Sequence, residues 1–154
     1  MVIINAEIAP LSAVTSSSTN DQPRILIVDD ETAVLFAYRR LIEGNGYVAD
    51  VCETLDEAIA YIKANPYFAV ITDLRLTGTN SREGLEVLAC IREHQPQAKM
   101  IVITGYGGKE TFQSALTLGV TFYFNKPMEP SVILETLRHL REDDKAGKEP
   151  TGVT

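Results

Sequence analysis

The chain has 154 residues, 45% of them hydrophobic, and a formal net charge of −7. That length suits one domain whose core buries roughly two thirds of the unfolded surface, and the acidic balance argues against direct binding of nucleic acid or an anionic membrane, both of which would repel it. Two distant cysteines, Cys52 and Cys90, have no CxxC spacing and indicate neither a zinc site nor a disulfide framework, and no apolar run approaches the ~20 residues that span a bilayer, so the expected setting is a reducing cytoplasm.

In chain order, residues 1–22 include the polar, turn-rich "TSSSTNDQP" and are expected to form a flexible leader. The first strand is expected in "ILIV" (25–28), which runs straight into Asp29 and Asp30. A helix-period segment follows, with Val34, Leu35, Tyr38, Leu41 and Ile42 on one face. Gly44 and Gly46 stand where a left-handed helix end is expected. The second strand is "YVADV" (47–51). "TLDE" (54–57) is a capping-box pattern, in which Thr54 accepts a backbone N–H and Glu57 reaches back. Beyond Pro66, "FAVIT" (68–72) forms the third strand and ends at Asp73. Leu85, Leu88 and Ile91 mark a third helix that closes over 92–95, before Pro96. "MIVIT" (100–104) is the fourth strand, Gly119 ends the fourth helix, and "TFYF" (121–124) is the fifth strand, followed by "NKP". Pro130 opens the last helix. From Glu142 the chain is charged and broken by Gly147 and Pro150, so the domain is expected over 23–142, with a flexible tail over 143–154 and no second domain.

Strand and helix in strict alternation specify a doubly wound α/β domain with a parallel sheet, because each parallel return needs a right-handed crossover helix. Strands that are apolar throughout are those buried on both faces. Ligands of such sheets bind outside the carboxyl ends of the strands. Asp29, Asp30, Asp73, Thr104 and Lys126 all fall there. Asp30 also suits a helix cap and Thr104 a turn. Two carboxylates about 4 Å apart, however, repel by roughly 4 kcal/mol at an effective dielectric near 20, more than one cap returns. A hard divalent cation removes that repulsion, and Mg²⁺ is the best match; Ca²⁺ would want more ligands from a dedicated loop.

In this order and at these strand ends, "VDDE", "ITDLRL", "VITGYG" and "YFNKP" resemble the receiver domain of two-component response regulators, from about Arg24 to Arg141. Spacings of 43 residues from Asp30 to Asp73, 31 from there to Thr104 and 22 on to Lys126 add to the likeness. The resemblance implies the flavodoxin-like (βα)5 fold with five parallel strands in the order 2-1-3-4-5. It implies Asp73 as phosphoacceptor, with Mg²⁺ held by Asp30, by Asp29 through water, by Asp73 and by the backbone carbonyl of Arg75. Lys126 and Thr104 would contact the phosphoryl oxygens, Thr104 and Tyr123 would move together as a switch, and Arg75 and Tyr106 would tune phosphoryl lifetime. The implied donor is a histidine of a sensor kinase or a phosphotransfer protein. His94 and His139, set among polar helical neighbours, are expected on the surface instead. A stand-alone receiver, catalysing only its own phosphorylation and dephosphorylation, would signal through a downstream protein or a second copy. The face used would be that of the fourth helix, fifth strand and fifth helix.

The chain departs from the family pattern in three places. Thr77 stands where relatives usually carry proline, and Gly84 lies about three residues later than the corresponding glycine, so the loop over 77–83 is longer. Phe122 replaces the common acidic residue, and facing outward with Phe124 it would add an apolar patch; inward burial is equally compatible. Val120 replaces the common alanine. "TGYGGKET" is no phosphate loop, since Glu110 follows Lys109 where Ser or Thr belongs. A phosphatase with an aspartyl-phosphate intermediate is disfavoured by Arg75 at its usual second aspartate. A phosphorylation-independent module would have no chemical need of all five site residues.

Overall fold

The computed structural model describes residues 22–76, 82–105 and 108–148. Strands β1 (Arg24–Val28), β2 (Val48–Cys52), β3 (Ala69–Thr72), β4 (Lys99–Thr104) and β5 (Phe122–Asn125) alternate with helices α1 (Thr32–Glu43), α2 (Leu55–Ala64), α3 (Glu83–His94), α4 (Lys109–Leu118) and α5 (Pro130–Lys148). Every neighbouring pair of strands is parallel, in the order 2-1-3-4-5. This is the doubly wound arrangement expected from the alternation, with the flavodoxin-like strand order that the resemblance implies.

Side-chain alternation divides the core into two layers. Ile25 and Ile27 of β1 meet Leu35, Tyr38 and Ile42 of α1 and Ile133, Leu137 and Leu140 of α5. Leu26 and Val28 point the other way, onto Ala58 and Ile62 of α2, Val87, Leu88 and Ile91 of α3, and Ala115 of α4. Burying each such aliphatic side chain stabilises by about 1.5–3 kcal/mol, which is why the central strands carry no polar face. No helix among the described residues is long and apolar enough to cross a membrane. Phe122 and Phe124 are partly buried on the α1/α5 face, stacked with their ring centroids 5.9 Å apart, while Tyr123 between them joins the opposite layer.

The element ends follow local chemistry, with some differences from expectation. Thr54 accepts the Glu57 N–H at 3.2 Å, but the Glu57 carboxylate takes the N–H of Glu53 at 2.9 Å, one residue before the cap. Gly119 (φ 100°) and Gly46 (φ 93°) are left-handed, as expected. Gly44 is not: at φ −71° it continues α1 with its N–H on the Arg40 carbonyl, and the reversal falls to Gly46. Helix α5 continues past the expected boundary at 142 to Lys148, because positions 143–146 contain no breaker before Gly147 and Pro150. The amino-terminal rim of the sheet is closed by Gln95, just past α3. Its buried amide accepts the Tyr67 N–H at 2.7 Å and donates to the carbonyls of Ile62 (2.7 Å) and Asn65 (2.6 Å).

Candidate functional site

The opposite rim gathers the charged residues, and backbone pairing puts them there. The sheet ladder runs one residue past the strands: Asp29 N–H donates to the Cys52 carbonyl at 3.2 Å, and Asp73 N–H to the Val28 carbonyl at 3.1 Å. Asp29 and Asp73 therefore end adjoining strands, each only 4% exposed. Beyond β5, Lys126 N–H donates to the carbonyl of the buried Thr104 at 2.9 Å. The Lys126 side chain crosses the rim, and its Nζ donates to Asp73 Oδ2 (2.9 Å), Asp29 Oδ2 (3.0 Å) and Glu31 Oε1 (3.2 Å).

The second oxygen of each aspartate is held by its own turn. Asp29 Oδ1 accepts the Glu31 N–H at 2.9 Å, and Asp73 Oδ1 the Arg75 N–H at 3.2 Å. Burial pushes the Asp29 carboxyl above its ordinary pKa, against the pull of the Glu31 amide and of Lys126. Burial alone would lower the Lys126 pKa, but its hydrogen bonds to Asp73 and Asp29 outweigh this and the net shift is upward. The Lys126 ammonium thus faces two buried carboxylates and Glu31, with Asp30 exposed alongside.

That donor set fits a hard divalent cation. Among the described residues no three His, Cys, Asp or Glu side chains are gathered to hold a metal by themselves. Two or three aspartates supplemented by a backbone carbonyl and water are the mixture Mg²⁺ accepts, since it dehydrates reluctantly.

The structure brings Asp29, Asp73 and Lys126 into direct contact and sets Thr104 beside them at the end of β4. Arg75 sits next to Asp73 through its amide. Tyr123 faces inward from β5 with its ring edge-on to Phe112 of α4, centroids 4.9 Å apart. Its hydroxyl, whose pKa is raised by burial and then by the charge of Asp73, is buried without a hydrogen-bond partner among the described residues. Tyr106 lies outside the described residues, as does the loop over 77–81. Asp30 does not cap α1; the cap position is Glu31, which makes no side-chain cap bond because its carboxylate is turned to Lys126. His94 and His139 are exposed, and both cysteines are buried, with burial pushing the Cys52 thiol up to about 12.

Sequence reasoning missed two contributors. Glu31 was visible as the third acid of "VDDE" but had no assigned partner. Gly84 was noted only for its late position. In the structure its N–H donates to the Leu74 carbonyl at 3.0 Å, and a Cβ there would overlap the Asp73 carbonyl oxygen and the Leu74 Cα.

Comparison with known proteins places these features in context. Residues 25–138 match the family model described as response regulator receiver domain. The photosynthetic apparatus regulatory protein RegA of Rhodobacter capsulatus is 38% identical over 114 residues, covering 73% of this chain and 60% of RegA. Among solved structures, a CheY-like receiver domain protein from Methanospirillum hungatei superposes with a TM-score of 0.75 at 31% identity, over 82% of this chain and 99% of that one. A response regulator from Burkholderia pseudomallei, solved with a phosphorylated aspartic acid, calcium ion and citrate, superposes at 0.68 and 26% identity, over 83% of this chain and 76% of that one. The chain spans about 60% of the length of the curated relatives it matches first.

Proposed function

The chain belongs to the response regulator receiver family, and from that premise we propose that it is a two-component receiver switched by phosphorylation of Asp73. The observation that carries this reading is the contact of Lys126 Nζ with Asp73 Oδ2 at 2.9 Å, with Asp29 on the other side of the ammonium. An Asp73 carboxylate oxygen attacks the phosphorus of a phosphohistidine on a sensor kinase or phosphotransfer protein. The P–N bond breaks, and its electron pair returns to the imidazole nitrogen, which takes up a proton. Catalysis is positioning plus neutralisation of the equatorial oxygens. Lys126 leaves part of its contact with Asp73 to pair with one phosphoryl oxygen, and Thr104 donates to another.

Asp29, Asp30, Asp73 and the Arg75 carbonyl would hold Mg²⁺, which when bound supplies positive charge to the transferring group. Arg75 and Tyr106 would set how easily water reaches the acyl phosphate. The protein catalyses only its own phosphorylation and dephosphorylation. Phosphorylation would alter the α4–β5–α5 face and its contact with a downstream protein or a second copy, in the cytoplasm. The net charge of −7 gives no support to direct contact between this domain and nucleic acid.

Incubation with a small phosphodonor and Mg²⁺, followed by mass spectrometry of the intact chain, tests the reading. One phosphoryl adduct that disappears in Asp73→Ala supports it. No adduct, or an adduct retained in Asp73→Ala, removes it.

A further inference from the structure

Tyr123 carries the unpaired buried hydroxyl noted above, and an unpaired buried polar group disfavours the position it occupies. Some other contact must hold the ring inward. The contact at hand is Phe112, whose ring meets Tyr123 at an interplanar angle of 87°. This edge-to-face geometry directs the positive edge of one ring at the negative face of the other. Phe112 is itself 37% exposed, so it lies at the surface of α4, with one flank open and another on Tyr123. Ala115, one turn on, is the buried residue of that helix. Helix α4 is therefore seated on little apolar area, and the Phe112 ring contributes both to its seat and to the position of Tyr123.

We propose that Phe112 is the positioning residue for Tyr123: its ring keeps Tyr123 turned inward and makes that position depend on where α4 sits. The inference rests on the switch role proposed for Tyr123, and it adds the residue that sets the resting balance of that switch. Loss of an edge-on aromatic pair shifts an inward-to-outward ratio by roughly 2- to 12-fold. A displacement of α4 by a bound partner would therefore act on Tyr123 through this ring, beside the core layer that Tyr123 also joins, and the orphan hydroxyl favours release.

The test is made on the full, unphosphorylated chain without Mg²⁺, so that its failure is separable from failure of the Asp73 chemistry. The protein is labelled with 3-fluorotyrosine, and the Tyr123 resonance is identified by its absence in Tyr123→Phe. In the parent this resonance is expected at a buried position with little solvent isotope shift between H2O and D2O. In Phe112→Ala it should move towards that of an exposed tyrosine and gain an isotope shift, and in Phe112→Leu it should move part of the way. Leu116→Ala, an exposed apolar residue of the same helix, should leave it in place. The Tyr67 resonance, whose hydroxyl bonds Asp50 at 2.6 Å on the opposite rim, reports that the fold is intact. A Tyr123 resonance unmoved in both Phe112 variants overturns the proposal. Equal movement in Leu116→Ala does so too, because it would reflect general loosening of α4. If Phe112→Ala loses the Tyr67 signal, Phe112→Leu decides by the same criteria.

Discussion

Gly84 rests on the backbone of Asp73 so closely that a Cβ in place of its hydrogen would overlap the Asp73 carbonyl oxygen. The start of α3 is thereby pressed onto the residue proposed to accept the phosphoryl group, with the Gly84 N–H on the neighbouring Leu74 carbonyl at 3.0 Å. The obstacle is backbone, which cannot swing aside as a flexible side chain would. Gly84→Ala is expected to destabilise by about 1–3 kcal/mol, read by urea unfolding. It should also slow phosphoryl uptake per folded molecule, because Asp73 must shift against Lys126. Parental stability together with a parental rate would show that α3 does not constrain the acceptor.

Asp29→Asn should make the Mg²⁺-free protein more stable, by about 1.4 kcal/mol for each pKa unit by which the folded state opposes ionisation. The sign follows from the raised pKa of Asp29. The folded protein holds this proton more tightly than the unfolded chain does, so the contribution is fully present below the unfolded value near 3.8 and is lost as pH rises through the folded pKa. The gap in Tm between Asp29→Asn and the parent should thus widen as pH rises from about 4 through the folded pKa and then level off. Lys126 is not stranded by the change, because Asp73 and Glu31 still accept from it. Stabilisation of the variant by added Mg²⁺ should at the same time be weaker than in the parent. A variant less stable at pH 7 would mean that the pairing with Lys126 outweighs the burial of Asp29.

Tyr123→Phe removes the orphaned hydroxyl and leaves the ring against Phe112. An unsatisfied buried polar group costs about 1–3 kcal/mol. The variant should accordingly unfold at higher denaturant concentration with an unchanged slope. A fall in stability would show that the hydroxyl is satisfied in solution, by water or by a rearranged neighbour.

Gln95→Ala separates scaffold from site. It strips partners from the Tyr67 N–H and from the Ile62 and Asn65 carbonyls at the rim far from Asp73. A loss of about 2–4 kcal/mol is expected, while the rate of phosphoryl uptake per folded molecule stays at the parental value. A large change in that rate at full folding would tie the two rims together.

Most of the architecture was legible because it is encoded locally. "ILIV" and the "FAVI" of "FAVIT" are apolar at every position, a pattern that strands covered on both faces require, and the intervening segments repeat with helical period. Asp29, Asp73, Thr104 and Lys126 could be grouped because residues at the carboxyl ends of parallel strands must share one rim. The end of α5 was not legible, because a charged run reads equally as tail or as exposed helix, and the helix runs through Gly147 to Lys148.

By itself, then, the chain's order of residues determined which segments are strand or helix, that the sheet is parallel, and that Asp29, Asp73, Thr104 and Lys126 share its rim. Only the tertiary structure decided that Glu31 reaches Lys126 where Asp30 stays exposed, that Gly84 abuts Asp73, and that Phe122 and Phe124 stack on one face while Tyr123 turns to Phe112 on the other. The reason is one of range. Periodicity specifies the conformation and facing of each segment, whereas a contact such as Lys126 with Glu31, 95 residues apart, depends on strand order, register and the seating of helices. No local pattern carries those.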